Sequence, residues 1–220
     1  MSVDETRRPR SRRRHRGFPL VIAALGLLTS FALASPAQAD PFGLDQPNNL
    51  VSGVGGIPDN FTHTYCFNGA GWTAARQNLV HGRMQNLDTQ TSYTDLFPPP
   101  PGCFATTDVW FELNSTMSAR GDYICRVWNN GVDGVARSGD DRCEGATIRI
   151  NSRAGVLTSN HQWRKTICHE IGHSVGLAHG STTNFFTDCM INGAVPEGLQ
   201  WEQYNLHHRN HANSRTPSAA

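Results

Sequence analysis

The chain has 220 residues, 38% of them hydrophobic and 17% charged, and a formal net charge of +1 at pH 7. That length suits one domain with its own hydrophobic core plus a leader. Beyond residue 39 only 12 basic residues stand against 16 acidic ones, a net −4 that leaves no basic stripe for nucleic acid and no second long apolar segment for a membrane.

The N-terminus reads as an export signal. Met1 to Arg16 carries seven arginines against two acids, Phe18 to Ala34 is an apolar run interrupted by Gly26, Thr29 and Ser30, and Ala37-Gln38-Ala39 gives the small-x-small pattern cut by a signal peptidase. Residues 1–39 are therefore expected to be a cleaved signal peptide. Pro36 and the Ala-x-Ala site argue against the alternative of a retained membrane anchor. Arg13-Arg14 leaves the twin-arginine route open beside the general one. Residues 40–58, rich in Gly, Pro and Asn, read as an extended lead-in or short propeptide, and residues 59–220 as a single catalytic domain. The product is expected to be secreted, extracellular and monomeric.

All six cysteines (Cys66, Cys103, Cys125, Cys143, Cys168 and Cys189) lie in the exported part, and an even number in an oxidising compartment reads as three disulfides. Fifteen pairings are possible. Near-neighbour pairing is simplest: Cys66 with Cys103, Cys125 with Cys143, Cys168 with Cys189. No C-x-x-C spacing supports a cysteine zinc site instead.

Phe61 to Phe67 alternates as a strand, and Gly69 to Gly71 breaks the chain before a helix opens at Trp72. On that helix Trp72, Ala75, Leu79, Met84 and Leu87 fall near one face, and it ends near Asp88. Pro98 to Pro101 stops regular structure. Strands are expected at Asp108 to Leu113, Asp122 to Trp128 and Ala146 to Ile150. The loop from Asn129 to Glu144 holds Asp133, Asp140 and Asp141, which could bind calcium, although their spacing matches no calcium loop and a solvated acidic loop accounts for them. A second helix is capped by Ser159 or Asn160 and runs to Gly176. Trp201, Tyr204 and Leu206 suggest a packed final helix between Gly198 and Ala212. His207, His208 and His211 read as a solvent-exposed polar helix end rather than a second metal site, and His63, His81 and His161 as surface or satisfied core residues. The pattern describes an α+β domain.

Residues 169 to 179 read HEIGHSVGLAH, which is HExxHxxGxxH throughout. By chance, on this composition, it would occur in roughly 5 of 100,000 such chains. Residues four apart on a helix share a face, so His169 and His173 can offer nitrogens to one ion. A histidine six residues beyond His173 on a continued helix would sit about 240° around and point away. The helix must therefore end, and Gly176 can take the left-handed conformation that turns the chain and returns His179 to the ion. Three ligands leave a tetrahedral zinc one position for water, the arrangement of a catalytic site. Glu170 is rotated about 100° from His169, too far to chelate and well placed to take a proton from that water.

The motif resembles that of the metzincin zinc metallopeptidases, with the likeness confined to residues 166–192 and nearest to small secreted bacterial and matrixin-like members. The resemblance implies an α+β metzincin-like fold: a mixed twisted sheet, two long helices, an active-site helix ending at a glycine turn, and a small irregular C-terminal subdomain with a final helix. It implies that Met190, in the string TDCMING, forms an apolar floor beneath the histidines. Cys168 precedes His169 and Cys189 precedes Met190, so a bond between them would clamp that turn to the helix. Asn192 stands where some members place a zinc-binding tyrosine, so no fifth ligand is expected, and no cysteine-switch motif is present. By the same analogy substrate lies along an edge strand, for which Ala146 to Ile150 is the candidate, and Gly193 to Gly198 walls the pocket beyond the cleaved bond. The implied activity is that of a secreted zinc endopeptidase in which Glu170 assists attack of a zinc-bound water on protein substrates. The alternatives are a narrow-specificity peptidase acting on a cell-wall peptide or a single partner, and a non-catalytic binding module.

Overall fold

Alternating apolar residues in four segments build a sheet onto which two helices pack their apolar faces. The computed structural model describes residues 57–97, 102–129, 142–179 and 187–214. The expected signal sequence, most of the expected lead-in and the calcium candidates Asp133, Asp140 and Asp141 lie outside them.

The elements in order are β1 (Ile57–Pro58), β2 (Thr62–Asn68), α1 (Ala74–Gln90), β3 (Thr94–Leu96), β4 (Val109–Asn114), β5 (Gly121–Asn129), β6 (Arg142–Asn151), α2 (Asn160–Ser174), a 3-10 turn (Leu199–Glu202) and α3 (Leu206–Ser214). The architecture is α+β with a mixed sheet and two long helices, as expected. Strand β2 pairs with β3 and β4, and β4 with β6, all parallel; β1 runs parallel to the start of β6. Among the described strands only β5 is antiparallel, paired with β6 from Gly121↔Ile150 to Asn129↔Arg142, with register shifts between Cys125 and Trp128.

This topology corrects the expected substrate-binding edge. Ala146 to Ile150 belongs to β6, which has β4 on one side and β5 on the other along this stretch. Ala146, Thr147, Ile148 and Ile150 are all buried, the two-faced burial of an interior strand rather than the one-faced burial of an edge. The edge is β5.

Helix α1 starts at Thr73, whose hydroxyl accepts from the Arg76 amide. Its buried face is Val80, Met84 and Leu87, at i, i+4 and i+7. Ala75 is exposed and Leu79 only half-buried, so the apolar stripe is one residue further round than the sequence spacing suggested. These side chains meet Val109, Phe111, Ile148 and Ile150 from the sheet and Ile167 and Ile171 from α2 in one core. Three disulfides, Cys66–Cys103, Cys125–Cys143 and Cys168–Cys189, have Cα separations of 5.2, 5.8 and 5.8 Å. Among the described residues no helix is long and apolar enough to cross a membrane.

The expected single helix from Gly198 to Ala212 is two pieces. Tyr204 falls in the extended link between the 3-10 turn and α3 and is buried, while Leu206 is 64% exposed. Burial of Glu202 fixes this break. Its carboxylate takes Arg164 Nε at 2.6 Å and His161 Nδ1 at 2.8 Å, and Arg83 donates to its backbone carbonyl at 2.6 Å. An ion cluster therefore holds the C-terminal part to both long helices.

Candidate metal centre

Ser159 caps α2, its hydroxyl accepting from the Gln162 amide, so the helix enters the core in a set register. It ends just beyond the second histidine. Gly176 has φ +84°, the Gly176 amide donates to His173 O at 3.1 Å and the Leu177 amide to Gly172 O at 2.9 Å. These two bonds are the paired closure of a Schellman turn, which needs the left-handed residue that glycine provides. The chain then doubles back to His179.

The consequence is convergence of three imidazoles. His173 Nε2 lies 3.2 Å from His169 Nε2 and 3.2 Å from His179 Nε2. Three nitrogens bound tetrahedrally to one zinc at 2.0–2.1 Å would be about 3.3 Å apart. Tautomers are set from behind: His169 Nδ1 faces Cys189 O at 2.8 Å and His173 Nδ1 faces Leu177 O at 2.7 Å, so each Nδ1–H donates to a carbonyl and leaves Nε2 as the free lone pair. Burial lowers the pKa of all three, with the neighbouring histidines adding to it for His169 and His173 and Lys165 for His179; His173 falls to about 3. They are neutral at pH 7, the form that ligates. The donor set, its spacing and its protonation fit zinc, and the three could hold such an ion.

Beneath the cluster lies the turn carrying Met190, which is fully buried. Its sulfur packs against Gly172: a Cβ there would fall 2.2 Å from Met190 Sδ and 3.1 Å from Tyr204 Cε1. The glycine between the two helical histidines is what lets the methionine rise under them. Asp188 shapes the turn, accepting from the Met190 amide at 2.9 Å and pairing with His208 Nδ1. His208 is thus buried on an acid, not solvent-exposed as the sequence suggested; Asp188 is 20 residues away in the chain and adjacent in space. The Cys168–Cys189 disulfide joins this turn to α2, and the Tyr204 hydroxyl, which donates to Cys168 O at 2.8 Å, ties the link before α3 to the same helix. Of the remaining histidines, buried His63 meets Ser174 Oγ and buried His161 meets Glu202, while half-buried His81 meets the Tyr65 hydroxyl.

The cluster opens into a cleft of about 840 Å³ whose lining includes Arg120, Gly121, Asp122 and Lys165 along with Glu170 and the three histidines. Of the segment from Gly193 to Gly198, Gly193 alone is in this lining. Glu170 is buried against the first residue of β5. A Cβ on Gly121 would fall 2.7 Å from Glu170 Oε1 and 2.8 Å from Thr166 Cγ2, so only glycine lets the edge strand come this close. The sequence marks neither Gly121 nor Gly172 as special; a close approach between distant segments leaves no local pattern. Burial, with Asp122 adding repulsion, raises the Glu170 carboxyl to about 8, opposed by Lys165. A cation held by the histidines would act in the same sense as Lys165 and favour the carboxylate.

Fold and site together define a three-histidine centre with a carboxyl beside it, at the base of a cleft bordered by an edge strand. No protein-family model matches the chain, and no curated protein matches it. Among solved structures the chain is similar to myroilysin in two structures, at 15% identity, covering 56% of this chain and 46% of that one with a TM-score of 0.36, and at 14% identity, covering 64% and 58% with a TM-score of 0.35. It is also similar to high choriolytic enzyme 1, a hatching enzyme zinc-protease from the medaka fish Oryzias latipes, at 11% identity, covering 55% of this chain and 46% of that one with a TM-score of 0.32. The matches span about half the length of these structures.

Proposed function

We propose that the chain is a secreted zinc-dependent endopeptidase of the metzincin type, with His169, His173 and His179 as metal ligands and Glu170 as the base. The observation that carries this reading is the convergence of three neutral imidazoles, with His173 Nε2 3.2 Å from Nε2 of each of the other two, beside a buried carboxyl in an open cleft. Zinc, when bound, supplies Lewis-acid polarisation of the scissile carbonyl and acidifies water. The chain's own groups do the rest. His169 and His173 are oriented by the carbonyls of Cys189 and Leu177, Glu170 takes the proton of the attacking water and returns it to the leaving amine, and Met190 keeps the underside of the cluster dry. The outer edge of β5, unpaired among the described residues and beginning at Gly121 against Glu170, supports binding of an extended peptide by strand addition. The leader-like N-terminus and three disulfides support action outside the cell.

Glu170→Gln tests the assignment. The variant should keep about one zinc per chain, measured by elemental analysis, and lose 10²–10⁴-fold in turnover of a denatured protein substrate. Undiminished turnover rejects the role of Glu170. Zinc in the parent chain with no cleavage of any protein favours a binding module, for which a base at 170 has no use.

A further inference from the structure

The cleft holds five charged side chains besides the histidines: Arg120, Asp122, Arg149, Lys165 and Glu170. Two of them cancel. Arg149 Nε donates to Asp122 Oδ1 at 2.8 Å and its Nη2 pairs with Oδ2, the bidentate fit of a guanidinium on a carboxylate across β5 and β6. Arg120 and Lys165 have no such partner: no carboxylate of the described residues lies within 4.0 Å of either. Lys165 is 6% exposed, yet among the described residues its ammonium has one acceptor, Ile191 O at 2.5 Å, against three N–H donors. A buried cation with unmet donors costs free energy unless something supplies acceptors. Arg120 lines the same cleft, so two cations face a volume open to a ligand.

Resting on the peptidase reading above, we propose that Arg120 and Lys165 form a carboxylate-binding subsite of the cleft, which makes the preferred substrates peptides with an acidic group next to the bond that is cut. The position follows from helix geometry. Lys165 is four residues before His169, one turn and about 6 Å along α2. An aspartate or glutamate side chain reaches a comparable distance from its own backbone, so its residue would adjoin the scissile bond. The chain beyond residue 39 is acidic overall, and these two cations reverse that sign locally, which draws anionic peptides to the cleft rather than to the rest of the surface. A carboxylate could come from an internal Asp or Glu or from a peptide's C-terminus. Only the former is compatible with cleavage inside a protein.

The test uses the zinc-loaded mature protein and a set of end-blocked peptides differing by Glu against Gln at each position flanking the cleaved bond, plus a set with Gln and a free C-terminus. The expected result is a 10–100-fold higher kcat/KM for Glu over Gln at one flanking position, falling to within threefold of unity in Arg120→Gln and in Arg120→Gln/Lys165→Met. Arg120 is the more exposed of the two, so its single variant remains informative if loss of Lys165 impairs folding. Arg120→Glu should shift the preference towards lysine. A preference seen only with the free C-terminus assigns the subsite to terminal carboxylates and overturns the internal form of the proposal. Equal Glu and Gln rates with sustained cleavage overturn it entirely and leave the peptidase reading intact. Should no peptide be cut, the peptidase reading fails, and anisotropy of the same labelled peptides decides the subsite separately: at least tenfold tighter binding of the Glu peptide, lost in Arg120→Gln, supports it, and equal affinity rejects it.

Discussion

Replacing Gly172 with alanine tests whether the methionine turn is seated by a gap in the helix. The new methyl would meet Met190 Sδ at 2.2 Å and Cε at 3.0 Å, whereas carbon and sulfur normally rest about 3.5–4.0 Å apart, so the sulfur must retreat by roughly 1.5 Å. Overpacking of that size costs about 1–3 kcal/mol, offset by up to about 1 kcal/mol from removing glycine from a helix interior. The net expectation is a loss of about 1–2 kcal/mol. Met190→Ala alone vacates a fully buried site and should cost about 2–5 kcal/mol. In the double variant the methyl introduced at position 172 occupies part of the space that the sulfur left, so the two losses should fall short of additivity by about 1–2 kcal/mol. Urea unfolding of the four proteins at fixed free zinc measures the cycle. Additivity within about 0.5 kcal/mol would refute the contact as the reason for glycine at 172. Zinc affinity adds an independent readout: Cys189 precedes Met190 and its carbonyl orients His169, so Gly172→Ala should weaken metal binding as well.

Glu202→Ala should destabilise by about 3–5 kcal/mol in chemical unfolding, because it strands His161, Arg83 and Arg164 around an empty centre; a loss below about 1 kcal/mol would show that the cluster is solvated. Cys168→Ser/Cys189→Ser opens a 21-residue separation and should cost about 3 kcal/mol on the loop-entropy relation, with zinc affinity falling too. Asp108 is pushed up to about 6, mainly by burial, against hydrogen bonds from the Thr64 amide and hydroxyl that favour its ionised form. A folded pKa above the unfolded one means the native state binds the proton more tightly, so this group's stabilising contribution is present below about pH 4 and is lost as pH rises through about 6. Asp108→Asn should therefore gain stability relative to the parent between pH 4 and pH 7, and a pH-independent difference in unfolding free energy would count against it. Chelation with excess EDTA should lower the melting temperature, since zinc bound only to the folded state stabilises by about 2.7 kcal/mol at one hundred times its Kd.

The parts of this molecule visible in sequence are those encoded within one turn or one strand. Ser159, the two histidines and Gly176 lie within eighteen residues and each acts on near neighbours, so α2, a cap at Ser159 or Asn160 and a glycine turn at Gly176 could be read from spacing alone, with the helix itself ending at Ser174. Pairing of neighbouring cysteines followed the same logic. What escaped notice depends on segments far apart. Three-residue β3 is too short for a periodic signal, and ATIRI alternates apolar Ala146, Ile148 and Ile150 with Thr147 and Arg149, a pattern equally compatible with an edge or an interior strand; its interior place is set by β4 and β5, which pair with it from distant parts of the chain. Asp188 with His208 and Glu202 with His161 bring together residues 20 and 41 positions apart, so the acid that explains each histidine was invisible along the chain.

Among the described residues no strand pairs with the outer side of β5, and an open strand of nine residues would be a hazard for self-association. The register shifts after Cys125 and the disulfide to Cys143 bend and pin its distal half, while Arg126 lies over the Trp110 ring at 3.9 Å. Regular geometry is left to Gly121 through Cys125, the stretch that begins beside Glu170. On the peptidase reading proposed above, backbone docking would be confined to about five residues, long enough to hold a strand of substrate and too short to template a growing sheet.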